Sequence, residues 1–96
     1  MKTLIVNNLV LGTSTNTEAT PLFIAMKNSV DTGAIISLSF KDVAYVSSSF
    51  LNSSIGEFID VYGFDFFKNN VKFANCNSDL ATLIKGYVTK YKSLVN

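Results

Sequence analysis

The sequence predicts an α/β domain built on a mixed sheet of about four strands, with parallel central strands and helices packed mainly on one face. Three observations carry that reading. Segments of period two alternate with segments of helical period in the order strand, helix, strand, helix, strand, helix. That order yields parallel neighbours joined by right-handed crossovers. The chain has 96 residues, 48% of them apolar, with one proline and five glycines, which is the composition of a single globular unit.

The elements follow in turn. Residues 4–11 are rich in Ile, Val and Leu around Asn7-Asn8 and end at Gly12. A hairpin turning at the Asn pair would leave arms too short to be stable, so one long strand is expected. A helix comes next, with two candidate starts. Thr15 with Glu18 forms a capping box, and Thr20 before Pro21 puts proline at a first helical position. Leu22, Phe23, Met26 and Val30 recur at helical spacing, and Asp31-Thr32-Gly33 closes the helix with a turn.

In residues 34–40, Ala34, Ile36, Leu38 and Phe40 alternate with Ile35, Ser37 and Ser39. One face is fully apolar, which places this strand near the middle of the sheet. After a turn at Lys41-Asp42, Ser47, Ser48 and Ser49 precede Phe50, Leu51, Ile55, Phe58, Ile59 and Tyr62. The period has become helical, serine is an N-cap type, and Gly63 is placed to end the helix. Residues 64–70 form a short helical or looped connection and residues 71–75 a last strand. Asn77 or Ser78 caps a final helix whose stripe is Leu80, Leu83, Ile84, Tyr87, Val88, Tyr91, Leu94 and Val95. Lys85, Lys90 and Lys92 gather toward its end, where the helix dipole favours cations.

Missing residue types narrow the function. All eight basic residues are lysine, and the chain has neither arginine nor histidine. Without histidine there is no Ser-His or Cys-His nucleophile pair and no His/Cys metal site, so no catalytic group, metal or cofactor is expected. Without arginine, and with a net charge of +1, no nucleic-acid surface is expected. Cys76 is alone, so no internal disulfide forms and a reducing, cytoplasmic setting fits. The apolar runs are far below the roughly 20 residues of a bilayer span, and no membrane contact is expected.

The segments Ser37-Leu38-Ser39-Phe40-Lys41-Asp42-Val43 and Val46-Ser47-Ser48-Ser49-Phe50, with Gly56, resemble the STAS-like domain family of unknown function. They are more distantly similar to the anti-sigma-factor antagonist (STAS) domains. The resemblance implies a non-enzymatic regulatory module that binds a protein partner, a regulator or kinase-like ATPase. Ser48 matches the phosphoacceptor of the antagonists. Ser47 stands where their pattern has an aspartate, Phe50 where a glycine follows, and Asn52 and Ser53 where the STAS-like helix carries an acidic pair. Thr15-Asn16 replaces a Ser-Arg before the first helix.

Each residue also has a plainer role. Capping alone accounts for a serine before a helix, and Thr15 with Glu18 for a capping box. Glu57 and Asp60 share a helical face that solvent alone would explain. Phe64, Phe66 and Phe67 read as a lid on the core, and Cys76 as a small buried hydrophobe. The expected partner surface is Ser47, Ser48, Ser49, Asn52, Ser53 and Glu57, with Ser48 as phosphoacceptor. The rival expectation is a structural or oligomerising protein, a homodimer in which the N-terminal strand pairs edge to edge with a second copy.

Overall fold

The computed structural model describes residues 1–95, with side chains through residue 93. The sheet has three strands, β1 (Lys2–Ile5), β2 (Ile36–Ser39) and β3 (Val71–Ala74), in the order β1-β2-β3. Both pairings are parallel, with Leu4, Leu38 and Phe73 side by side in register. The expected fourth strand and mixed pairing are absent among the described residues. β2 is central, as its apolar alternation required.

The N-terminal segment departs most from expectation. In place of one strand over residues 4–11, β1 stops at Ile5 and the chain coils into a single turn, α1 (Val6–Leu9). Asn7 and Asn8 are poor strand residues, and both face solvent on that turn while Val6 is fully buried beneath it.

Helix α2 (Asn16–Asp31) starts at Thr15, not at Thr20. Its capping box is complete: Thr15 Oγ1 accepts from the Glu18 amide at 3.2 Å, and the Glu18 carboxylate accepts from the Thr15 amide at 3.1 Å. Pro21 therefore lies inside the helix. Leu22 and Met26 are fully buried in the core. At the far end Asp31 pairs with Lys27 at 2.8 Å and accepts from the Tyr62 phenol at 2.8 Å. These contacts hold the Asp31 carboxyl below its usual range.

Residues 43–46 are irregular, with Val43 and Val46 buried and Ala44 and Tyr45 facing out. A continuous helical run over 48–62 follows. It comprises α3 (Ser48–Leu51), a π-helical turn (Asn52–Gly56) and α4 (Glu57–Tyr62). Asn, Ser and Gly are weak helix formers, and they crowd the widened turn. The buried Ser54 hydroxyl donates to Phe50 O at 2.7 Å, which satisfies it where the helix widens. Gly63 ends the run at φ 90°, a value that only glycine adopts without strain.

Helix α5 (Phe64–Asn70) leads into β3, and Asn77 caps α6 (Ser78–Val95) through its Oδ1, which accepts from the Leu80 amide at 2.7 Å. Phe67 is buried, Phe64 half-buried and Phe66 36% exposed, so the expected aromatic lid is closed by Phe67 and open at Phe66. Leu80 and Ile84 anchor α6 in the core, and Tyr87, Val88 and Tyr91 pack beside it. Leu83 is 40% exposed and leaves the expected stripe, while the side chains of Leu94 and Val95 lie outside the described residues. On the sheet, Leu4, Ile36, Leu38 and Val71 are buried. Thr3, Ile5 and Lys72, on the opposite face, are exposed.

Candidate functional site

All three strands run in one direction, so their carboxyl ends deliver three loops to one rim of the sheet. Side-chain hydrogen bonds tie these loops together. Thr13 Oγ1 donates to Tyr45 O at 2.6 Å, Ser47 Oγ to Ser14 O at 2.7 Å, and Asn77 Nδ2 to Ala44 O at 3.4 Å. The amide of Ser47 also donates to Thr13 O at 2.9 Å. The serine turn is thus pinned from both sides before the helix begins.

The three serines divide the work. Ser47 is the N-cap: half-buried, its hydroxyl accepts from the Phe50 amide at 3.0 Å while donating to Ser14 O. Its side chain is fully engaged inside the fold and offers little to a partner. Ser48 and Ser49 are exposed, and neither hydroxyl has a hydrogen-bond partner among the described residues. Capping explains one serine of the three.

The remaining expected contacts fall on two sides of the same helix. Ser48 and Asn52 face α6, where they line a cavity of about 270 Å³ with Tyr87, Lys90 and Tyr91. Ser53 and Glu57 face α2, where they line a separate cavity of about 260 Å³ with Thr20 and Phe23. The six residues named from sequence therefore do not form one surface. Each set is a pair four residues apart, and the two pairs meet at Asn52 and Ser53, neighbours inside the π-helical turn that point to different sides of the run.

Sequence reasoning missed the C-terminal helix as a wall of the site. The Tyr87 phenol donates to Asn52 Oδ1 at 2.6 Å, and the Tyr91 phenol donates to Asp60 Oδ1. The two rings stack with centroids 5.7 Å apart. Burial first, and then the charge of Asp60, push the Tyr87 phenol up to about 12. Burial and the hydrogen bond to Asp60 raise Tyr91 further. Both groups stay neutral donors across the physiological range. Their i, i+4 spacing was visible as part of an apolar stripe, but nothing in the sequence marked their hydroxyls as partners of Asn52 and Asp60.

The other candidate chemistry is sparse. Glu57 and Asp60 are both exposed, and no cluster of three His, Cys, Asp or Glu side chains occurs among the described residues. Cys76 lies beyond β3 and is half-buried, with its thiol pushed up by burial, away from the reactive thiolate form. No described helix is long and apolar enough to cross a membrane.

A family model described as a STAS-like domain of unknown function (DUF4325) matches residues 18–81. No curated protein and no solved structure gives a significant match. The matched region contains most of α2, the central strand, the serine turn, the whole of the 48–62 helix, β3 and the first turn of α6, and it leaves out β1 and the rest of α6. With that span of its length covered, the chain belongs to the family of STAS-like domains of unknown function.

Proposed function

We propose that this chain is a non-enzymatic regulatory interaction module that binds a protein partner through the serine turn and the helix that follows it, with Ser48 as phosphoacceptor. By its likeness to the antagonist domains, the partner is a regulator or a kinase-like ATPase. One observation carries this reading: Ser47 alone meets the needs of the helix start, leaving the exposed hydroxyls of Ser48 and Ser49 with no structural duty among the described residues. A phosphate there would add about −1.5 to −2 charges to an exposed surface whose nearest lining charge is Lys90, which alters docking without disturbing the core.

The test is affinity capture from native cell extract, with phosphosite mapping on the same sample. Captured partners are then titrated against wild type, Ser48→Ala and Ser48→Asp. Ser48→Ala is expected to bind as wild type does and Ser48→Asp to lose affinity. Equal binding by all three, with no phosphate found on Ser48, overturns the switch.

The oligomer reading keeps one favourable observation. β1 is an edge strand with Thr3 and Ile5 exposed, and the Lys2 amide bonds inward to Ile35 O at 2.8 Å. By alternation the Thr3 amide points outward, free to pair with another strand. Sedimentation of wild type and Thr3→Pro decides it. A dimer lost in the variant supports self-association, and a monomer at every concentration removes it.

A further inference from the structure

Gly86 stands in the middle of α6, where glycine weakens a helix relative to alanine. Close packing usually explains such a glycine, and at Gly56 it does: an added Cβ there would come within 2.5 Å of the Tyr87 hydroxyl. At Gly86 a Cβ would meet nothing within 4 Å. Nothing among the described residues requires the bare backbone at this position.

Its location supplies a reason. Gly86 lines a groove of about 480 Å³ between the 48–62 helix and α6, with Tyr45, Leu51, Leu83, Tyr87 and Lys90. Tyr45 and Leu83 are large side chains that remain 61% and 40% exposed. Lys90 is exposed and has no acidic partner, the one ion pair among the described residues being Lys27 with Asp31. Lys90 is the only charged side chain lining the groove among the described residues; Asp60, which accepts from Tyr91, is not part of its lining. The groove therefore combines apolar walls, a floor cleared to the backbone, and an unneutralised cation beside Ser48.

We propose that this groove binds a short peptide segment of a protein partner, an apolar side chain lying over Gly86 between Tyr45 and Leu83 and an acidic side chain pairing with Lys90. The inference rests on the interaction-module reading and gives the partner its chemistry. Charge complementarity chooses an acidic segment over a basic one, and the missing Cβ chooses an occupant that approaches the helix backbone. Ser48 borders the same cation, so a phosphate on it competes with the acidic side chain for Lys90.

The experiment selects peptides from a random displayed library on the purified full chain, then titrates the enriched sequences as labelled synthetic peptides. Enriched peptides are expected to carry a large apolar residue within a few positions of Asp or Glu. Gly86→Leu is expected to weaken them about tenfold or more while the chain keeps its helical circular dichroism, since the space for the side chain is open. Lys90→Glu is expected to weaken them similarly, with binding restored to a peptide whose acidic residue is replaced by lysine. No enrichment, enrichment without acidic residues, or equal affinity for Gly86→Leu would each overturn the groove. Loss of the Ser48 switch is read separately: peptides that depend on Gly86 and Lys90 but bind Ser48→Asp as wild type uphold the groove and refute only the switch.

Discussion

The hydroxyl of Tyr87 reaches across the helix crossing to Asn52 Oδ1 at 2.6 Å, over the spot that Gly56 leaves vacant. A residue with a Cβ at 56 would have to evict that hydroxyl, so the glycine and the hydrogen bond depend on each other. Tyr87→Phe is expected to cost about 1 kcal/mol, the usual net worth of such a bond. Gly56→Ala is expected to destabilise wild type but to be neutral or stabilising in the Tyr87→Phe background, where the obstructing oxygen is gone. Urea denaturation of the four chains of this cycle measures the coupling, and additive values would show that the two positions do not communicate.

Ser47 and Ser48 are neighbours with opposite expected sensitivities. Ser47→Ala removes both the cap acceptor and the link to Ser14 O, and is expected to cost about 1 to 2 kcal/mol. Ser48→Ala removes no contact and is expected to stay within about 0.5 kcal/mol of wild type. Thermal or urea unfolding of the two variants separates the structural serine from its exposed neighbour.

Gly86→Ala is expected to stabilise the free protein by up to about 1 kcal/mol, because it gains helix propensity and meets no neighbour. In a domain of this size that corresponds to a rise in Tm of roughly 4 to 8 °C. A fall in Tm would mean that the backbone at this position is constrained by something other than open space.

Tyr87 ties stability to alkaline pH. Its phenol is raised from an unfolded value of 10 to about 12, so the folded state holds this proton more tightly than the unfolded chain. The associated stability is fully present below pH 10 and is lost as pH rises from there through 12. Tyr91 is shifted in the same direction. Wild type is expected to lose stability steeply above pH 10, and a Tyr87→Phe, Tyr91→Phe variant more gently. The difference in tyrosinate absorbance between wild type and Tyr87→Phe should titrate near 12, and a midpoint near 10 would place that phenol in solvent.

Local rules carried much of the architecture. The capping box at Thr15, the alternation that buries Ile36, Leu38 and Phe40, the glycine stop at Gly63 and the cap at Asn77 are each set by a few adjacent residues and were legible in the sequence. Residues 4–11 were not, because the Ile, Val and Leu around Asn7-Asn8 outweigh that pair in a strand reading, whereas the chain coils at those two exposed residues directly after Ile5. The widened turn at 52–56 had a signature in its weak helix formers, but such a run reads equally well as an ordinary helix with polar residues outward. The split of the expected site into an α6 side and an α2 side depends on which helices pack against the 48–62 run. That is a tertiary fact with no local trace, and the same is true of Lys90, one lysine among eight until the fold sets it beside Ser48.

The surplus residue in the widened turn works as a swivel. Removing one position from 52–56 would return the run to regular pitch and rotate the segment ahead of it by about 100° relative to the segment behind. Phe50 and Leu51 ahead of the turn and Phe58 and Ile59 behind it are all buried in the core, so such a rotation would pull one pair or the other out of its packing. Length in this stretch is therefore a variable in its own right: a single-codon deletion there would set the two halves of the run at odds over which faces they bury.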